Sequence, residues 1–241
     1  MTTIISMWSG PRNISTTMMR AFENRADATA IDEPFYASYL ARSGADHPYR
    51  EETLAAQPTK FGEVVKWIET QPADGSSVLF LKHIAFHLPD GADLQFIHRH
   101  RNFLLIRDPR AMVASYAKKF EDVSPIVKSY EIERRILDEL TAHGLPCPVV
   151  DAADVLAAPE AVLRKLCAGL GLEFDPSMLS WPAGRRDCDG VWAPHWYDAV
   201  WASTGFNSPV EKPVELSATL ETVADECMAN YRFLHSKRLT A

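Results

Sequence analysis

Arg12, Ser15, Thr16 and Thr17 stand in one short segment, Ser9-Gly10-Pro11-Arg12-Asn13-Ile14-Ser15-Thr16-Thr17, between the apolar run Thr3 to Trp8 and the helical run Met18 to Glu23. A guanidinium, three hydroxyls and the unpaired N–H groups of an opening helix meet there with the helix dipole behind them, which is the chemistry that holds a phosphate or a sulfate. The Walker A pattern G-x-x-x-x-G-K-[ST] occurs nowhere in the chain, so the lysine that marks an ATPase or GTPase loop is missing. An ordinary N-capped helix behind a buried strand would use the same residue types.

Arg107 and Ser115 form a second set. Asn102 to Ile106 reads as an apolar strand, followed by Arg107-Asp108-Pro109-Arg110 and the helical run Ala111 to Phe120. Pro109 suits a first helical turn, where its missing N–H has no partner to lose. Arg107 then falls at the carboxyl end of a strand, where open parallel sheets bind ligands, and Ser115 lies two turns into the helix on a face that can return toward it. A planar fork of donors completed by a hydroxyl suits a second phosphate, although a surface Arg-Asp pair opening a helix has the same composition.

Together these segments resemble the sulfotransferases that use 3'-phosphoadenosine 5'-phosphosulfate (PAPS). Pro11-Arg12-Asn13-Ile14-Ser15-Thr16 matches that family's P-[KR]-S-G-T-T turn, with Asn13 in place of Ser and Ile14 in place of Gly. Because a β-branched residue takes positive φ only at a cost, Ile14 is expected in an ordinary backbone region. Arg107 and Ser115 match the pair that holds the 3'-phosphate. A third stretch, from Pro148-Val149-Val150-Asp151 through the helical run to Gly169-Leu170-Gly171-Leu172, resembles a late structural passage of the same family, so the likeness spans roughly residues 1 to 235.

The resemblance implies an α/β fold of three layers, P-loop type, with a central parallel sheet flanked by helices, and a single domain over 1–241. It implies PAPS as co-substrate and no metal. Arg12, Asn13, Ile14, Ser15, Thr16 and Thr17 would hold the 5'-phosphosulfate, Arg107 and Ser115 the 3'-phosphate, and Arg12 with Lys82 the leaving charge. For the base that takes the acceptor's proton there are two candidates. Glu33 follows the second strand where several carbohydrate-type members carry a Glu. His83 comes from Lys82-His83-Ile84-Ala85-Phe86-His87-Leu88-Pro89, which resembles a K-T-H-L-P passage with the histidine one place early. The implied acceptor is a small molecule or a carbohydrate bearing a hydroxyl or amine, and a homodimer is compatible with the family. Its usual C-terminal R-K-G-x-x-G clamp is absent; Arg185 with Arg186, or Ser203-Thr204-Gly205-Phe206, are the candidate substitutes. A nucleotide-binding regulatory module without turnover, a nucleotide-dependent phosphotransferase and an interaction scaffold stay open beside this reading.

The elements needed to position these groups are legible as an alternation. Strands are expected at about 3 to 8, 28 to 32, 78 to 83, 102 to 107 and 147 to 151, with helices after most, which is the pattern of a parallel sheet covered on both faces. Ser124 to His143 and Leu216 to His235 carry apolar residues at helical spacing. Arg42 to Gln57 reads as an excursion toward an acceptor. His98, Arg99, His100 and Arg101 precede a strand, so they belong at the sheet edge away from ligands and read as a solvated turn. Trp181, Trp192, Trp196 and Trp201 crowd one stretch that suits stacking on a ligand or on the core.

With 241 residues and 46% hydrophobic content, the chain can bury a full core. It has no apolar run near membrane-spanning length and no signal-peptide pattern, so the expectation is a cytoplasmic protein. The four cysteines show no C-x-x-C pair and are expected as free thiols. A net charge of -7 speaks against nucleic acid or an acidic membrane as a partner for the whole surface.

Overall fold

The computed structural model describes residues 2–71, 75–207 and 214–240. The chain runs β1 (Thr3–Ser9), α1 (Ser15–Glu23), β2 (Ala28–Asp32), α2 (Tyr36–Ser43), α3 (Arg50–Ala56), α4 (Phe61–Glu69) and β3 (Val78–Ile84). Then follow β4 (Arg101–Ile106), α5 (Pro109–Tyr116), α6 (Ser124–Ala142), β5 (Val149–Asp151), α7 (Ala152–Ala157), α8 (Pro159–Gly169), α9 (Ala193–Trp196), α10 (Asp198–Trp201) and α11 (Ala218–His235). The five strands form one sheet in the order β2-β3-β1-β4-β5, every neighbouring pair parallel. The expected α/β fold with helices on both faces is therefore the observed one.

Burial on both faces explains why the strands read as nearly continuous apolar runs. On one face Ile5, Met7, Phe80, Phe103 and Leu105 pack under Met18 and Phe22 of α1 and Leu163 and Leu166 of α8. On the other, Trp8, Leu79, Leu81, Leu104 and Ile106 pack under Ile126, Tyr130, Ile136 and Leu140 of α6. Each such fully buried aliphatic or aromatic side chain contributes about 1.5–3 kcal/mol before the entropy of ordering is subtracted.

Strand ends agree with the sequence reading to within a residue except at β5, which starts at Val149 rather than 147. Pro148 has no N–H to give a ladder and joins only by accepting a bond from the Leu104 amide. The helix expected from Ala111 starts at Pro109, because Asp108 caps it by accepting from the Ala111 amide at 3.1 Å.

The connection leaving β1 passes through α1 on one face, whereas the one leaving β4 passes through α5 and α6 on the other. A crevice therefore opens at the carboxyl ends of β1 and β4, the point at which ligands bind in such sheets. Over this crevice lies a third apolar cluster in which Tyr36 and Leu40 of α2 meet Trp192, Ala193 and Tyr197. A buried ion pair between Arg20 and Asp189 ties that Trp-rich strap to α1. Among the described residues no helix is long and apolar enough to cross a membrane, and the four cysteines are free thiols.

Candidate active site

The loop after β1 is shaped by three local demands. A Cβ on Gly10 would lie 2.8 Å from the Met112 sulfur, so any larger residue there would have to displace the end of the Met112 side chain. The left-handed bend falls on Arg12, at φ 55, while Ile14 sits at φ -81 as its β-branch requires. Asn13 pins the loop, donating from Nδ2 to the Leu105 carbonyl at 2.7 Å and accepting the Ile14 amide on Oδ1 at 2.9 Å. No side chain caps α1, so its first amides have no side-chain partner.

Ser15, Thr16 and Thr17 line a cavity of about 320 Å³ together with Arg12, Asn13, Arg107 and Ser115. Ile14 does not; its side chain packs into the core beneath α1. Arg107 donates to the Arg12 carbonyl and so braces the bend, and the Arg12 Nε donates to the Ser115 hydroxyl at 3.3 Å. Burial lowers the pKa of Arg107, and the Arg12 charge adds to this, against Tyr130 and nearby acids. Among the described residues neither arginine makes an ion pair with a carboxylate. Two cations facing one cavity without acidic partners leave a positive field that an anion would neutralise.

The cavity floor is built differently. Lys82, at the end of β3, is 1% exposed, and its Nζ donates to Asp32 at 2.8 Å, Glu33 at 2.5 Å and Tyr197 at 2.8 Å. Asp32 also accepts the Tyr197 hydroxyl at 2.7 Å and the Gly190 amide at 3.2 Å. Burial by itself would lower the lysine pKa, but Asp32 and Glu33 override it and hold it well above the ordinary value. Glu33 adopts φ 41, and its carboxyl is pushed up by burial and by Asp32 while Lys82 opposes the rise.

The two histidines near Lys82 part company. His83, expected as a candidate base, is 1% exposed, stacks on Trp8 with ring centroids 4.0 Å apart, and reaches Ser6 at 3.3 Å; it does not line the cavity. Strand alternation turns it into the sheet's apolar face when Lys82 faces the ligand edge. His87 does line the cavity. Its Nδ1 has no hydrogen-bond partner and lies 3.8 Å from the Glu33 carboxylate, with the ring stacked on Tyr36. Burial, with His47 and Lys82 nearby, holds its pKa well below the ordinary value, so the imidazole is neutral. His87-Leu88-Pro89 was in plain view in the sequence, five places beyond the lysine; its order matched a known passage and its spacing did not.

The upper wall is aromatic, with Tyr36, Phe86, Tyr116, Phe120, Trp192 and Trp196 lining it. His47 joins them from the excursion between α2 and α3. Of the clamp substitutes, Arg186 is spent on the Pro182 carbonyl and on Glu23, Ser203 bonds Trp181 and Val200, and neither lines the cavity. Asp32 at the end of β2, and Asp189 and Tyr197 in the strap, escaped sequence reasoning, since an Asp or a Tyr carries no signature until the fold brings its partner, Lys82 or Arg20, against it. The turn before β4 is also not simply solvated: His100 is 7% exposed and bonded to Ser6 at 2.9 Å.

A family model described as a sulfotransferase domain matches residues 2–237. Two Arabidopsis thaliana proteins, branched-chain-amino-acid aminotransferase-like proteins 2 and 1, are each 35% identical over 231 and 233 residues. Those alignments cover 96% and 97% of this chain but 41% and 42% of the relatives, so the chain spans less than half of their length. Among solved structures, the sulfotransferase domain from the curacin biosynthetic pathway aligns over 95% of this chain and 98% of its own, with TM-score 0.57 and 13% identity. The sulfotransferase domain of the Synechococcus PCC 7002 olefin synthase covers 93% and 94% at TM-score 0.54 and 15% identity. A mouse sulfotransferase complexed with PAP, 3'-phosphoadenosine 5'-phosphate, covers 97% and 88% at TM-score 0.50 and 12% identity. At such identities the structures establish the shared fold.

Proposed function

The chain belongs to the sulfotransferase-domain family, and from that premise we propose that it transfers a sulfuryl group from PAPS to a hydroxyl or amine of a small-molecule or carbohydrate acceptor. The observation that carries this reading is the pair Arg12 and Arg107, facing one cavity beside an uncapped helix start, with neither in an ion pair among the described residues. Such a cradle fits a donor with phosphates at two places. Arg12, Ser15, Thr16 and Thr17 would hold the 5'-phosphosulfate end, with Asn13 fixing the loop, and Arg107 with Ser115 the 3'-phosphate.

When bound, the donor supplies the sulfuryl group and takes the negative charge left on its phosphate. The chain's own part is to place an acceptor and accept its proton. Glu33 and His87 stand together on the cavity wall. A neutral imidazole with a free Nδ1 can take the proton, and Glu33 at 3.8 Å stabilises the imidazolium so formed. Lys82 holds Glu33 in place, and Arg12 offers its fork to the developing charge. No step in this scheme needs a metal. The aromatic wall would keep water from the reacting groups.

Calorimetric titration with PAP, beside ATP with Mg²⁺ and an Arg107→Ala control, tests the reading. Tight PAP binding that the control loses, with ATP weak, is expected. Preference for ATP with metal would instead favour a phosphotransferase. A second reading, a nucleotide-binding module without turnover, draws on the capture of Lys82 by two carboxylates; PAP binding with no transfer to any acceptor would favour it.

A further inference from the structure

We propose a site for a late first-row divalent cation of the zinc class, formed by His98, Glu139 and His143 at the edge of the sheet opposite the crevice. Glu139 lies in the last turns of α6 and His143 is the residue that ends it, one helical turn on, so both project on the same face. His98 comes from a 3-10 turn, Gln95–Arg99, that leads into β4. His98 Nε2 stands 2.8 Å from Glu139 Oε1, His143 Nδ1 stands 3.5 Å from the same oxygen, and the two imidazole rings are 4.2 Å apart. All three ligand atoms lie within 4.8 Å of one another.

That spacing is close to what a tetrahedral ion requires. With metal–ligand distances of about 2.0–2.2 Å, neighbouring ligand atoms sit about 3.3–3.6 Å apart; the His143–Glu139 separation is already in that range, and binding requires the His143 ring to leave the Glu139 backbone carbonyl, 2.9 Å from its Nδ1, and the His98 ring to rotate. Two imidazoles and one carboxylate select zinc, nickel or copper over magnesium or calcium, which prefer oxygen. The site is half-buried, with side-chain exposures of 22%, 32% and 49%, and it borders a second cavity also lined by Asp93 and Gln95, where a water would complete the coordination.

Neighbouring cations do not fill the place. Arg99 is drawn away into an ion pair with Glu69, and Arg135 donates to the Ala92 carbonyl. A bound ion would clip the end of α6 to the turn that feeds β4.

Titration of the tag-free full chain with Zn²⁺ by calorimetry, with Mg²⁺ alongside, tests the site. One Zn²⁺ per chain is expected, with no Mg²⁺ binding, and at least tenfold weaker Zn²⁺ affinity in both His98→Ala and the isosteric Glu139→Gln, each checked for native circular dichroism. Absence of saturable Zn²⁺ binding, or affinity that Glu139→Gln leaves unchanged, would overturn the proposal. PAP binding should be the same with and without Zn²⁺, so the two sites stand or fall separately.

Discussion

Lys82 and Arg107 both approach the same cavity, from the ends of β3 and β4 on either side of β1, yet their surroundings are opposite. Lys82 is enclosed by Asp32, Glu33 and Tyr197, all within 2.8 Å, whereas among the described residues the Arg107 guanidinium donates to the Arg12 carbonyl and makes no ion pair. A cation whose charge is balanced inside the fold contributes to the fold. A cation left unbalanced beside a cavity adds repulsion to the empty state and is relieved by a ligand. The contrast marks Lys82 as part of the fold's own charge balance and Arg107 as the group on which the proposed binding role rests, and it can be broken.

The largest effect is expected at Lys82. Lys82→Met would leave Asp32 and Glu33 buried without a counter-charge, costing about 3–5 kcal/mol in urea-induced unfolding. Arg107→Ala loses the hydrogen bond to the Arg12 carbonyl but no ion pair, and should cost no more than about 1 kcal/mol. Equal losses in the two variants would erase the distinction.

The histidines repeat the contrast at smaller scale. His87→Ala is expected to lower turnover by about a hundredfold with PAP affinity unchanged, the usual weight of a general base. His83→Ala should act on stability through the lost stacking on Trp8 and spare the turnover of the folded fraction. Steady-state rates corrected for folded protein separate these outcomes, and a reversed pattern would return the base role to His83.

Ser115→Ala removes one neutral donor from the arginine side and should weaken PAP by roughly fivefold, about 1 kcal/mol, in the same calorimetric assay.

Glu133 extends the comparison to a buried carboxyl that has no ion pair among the described residues. Burial holds its carboxyl well above the ordinary range, opposed only by the Gly10 backbone. The folded state then binds a proton that the unfolded state releases, so stability is full below the unfolded carboxylate pKa and falls as pH rises toward the folded one. Urea midpoints for Glu133→Gln should lose that downward slope. Parallel curves for the two proteins would show that Glu133 is ionised at no cost.

The sheet was legible because parallel strands buried on both faces leave long apolar runs, and Thr3–Ser9, Val78–Ile84 and Arg101–Ile106 appear where those runs lie. The phosphate-type loop was legible too, since Arg12 to Thr17 sits in one segment and the Ile14 side chain dictated where the bend would not fall. Arg107 and Ser115 belong to one strand-helix unit, so their spacing carried the message. His83 and His87 were not separable that way. Both follow Lys82, and which one reaches the cavity depends on the strand ending at Ile84 and on a 3-10 turn over Ala85–His87 that swings the later ring inward.

Sequence alone determined the family and the run of strands that builds the sheet, and it put Arg12, Ser15, Thr16 and Thr17 into one loop, because each of these lies in a contiguous stretch. Tertiary structure decided the charge balance of Lys82, the choice of His87 over His83 at the cavity, the strap anchored by Asp189 on Arg20, and the meeting of His98 with Glu139 and His143. Those outcomes join residues up to 169 positions apart, and no local propensity reports on a partner that only folding brings within hydrogen-bond reach.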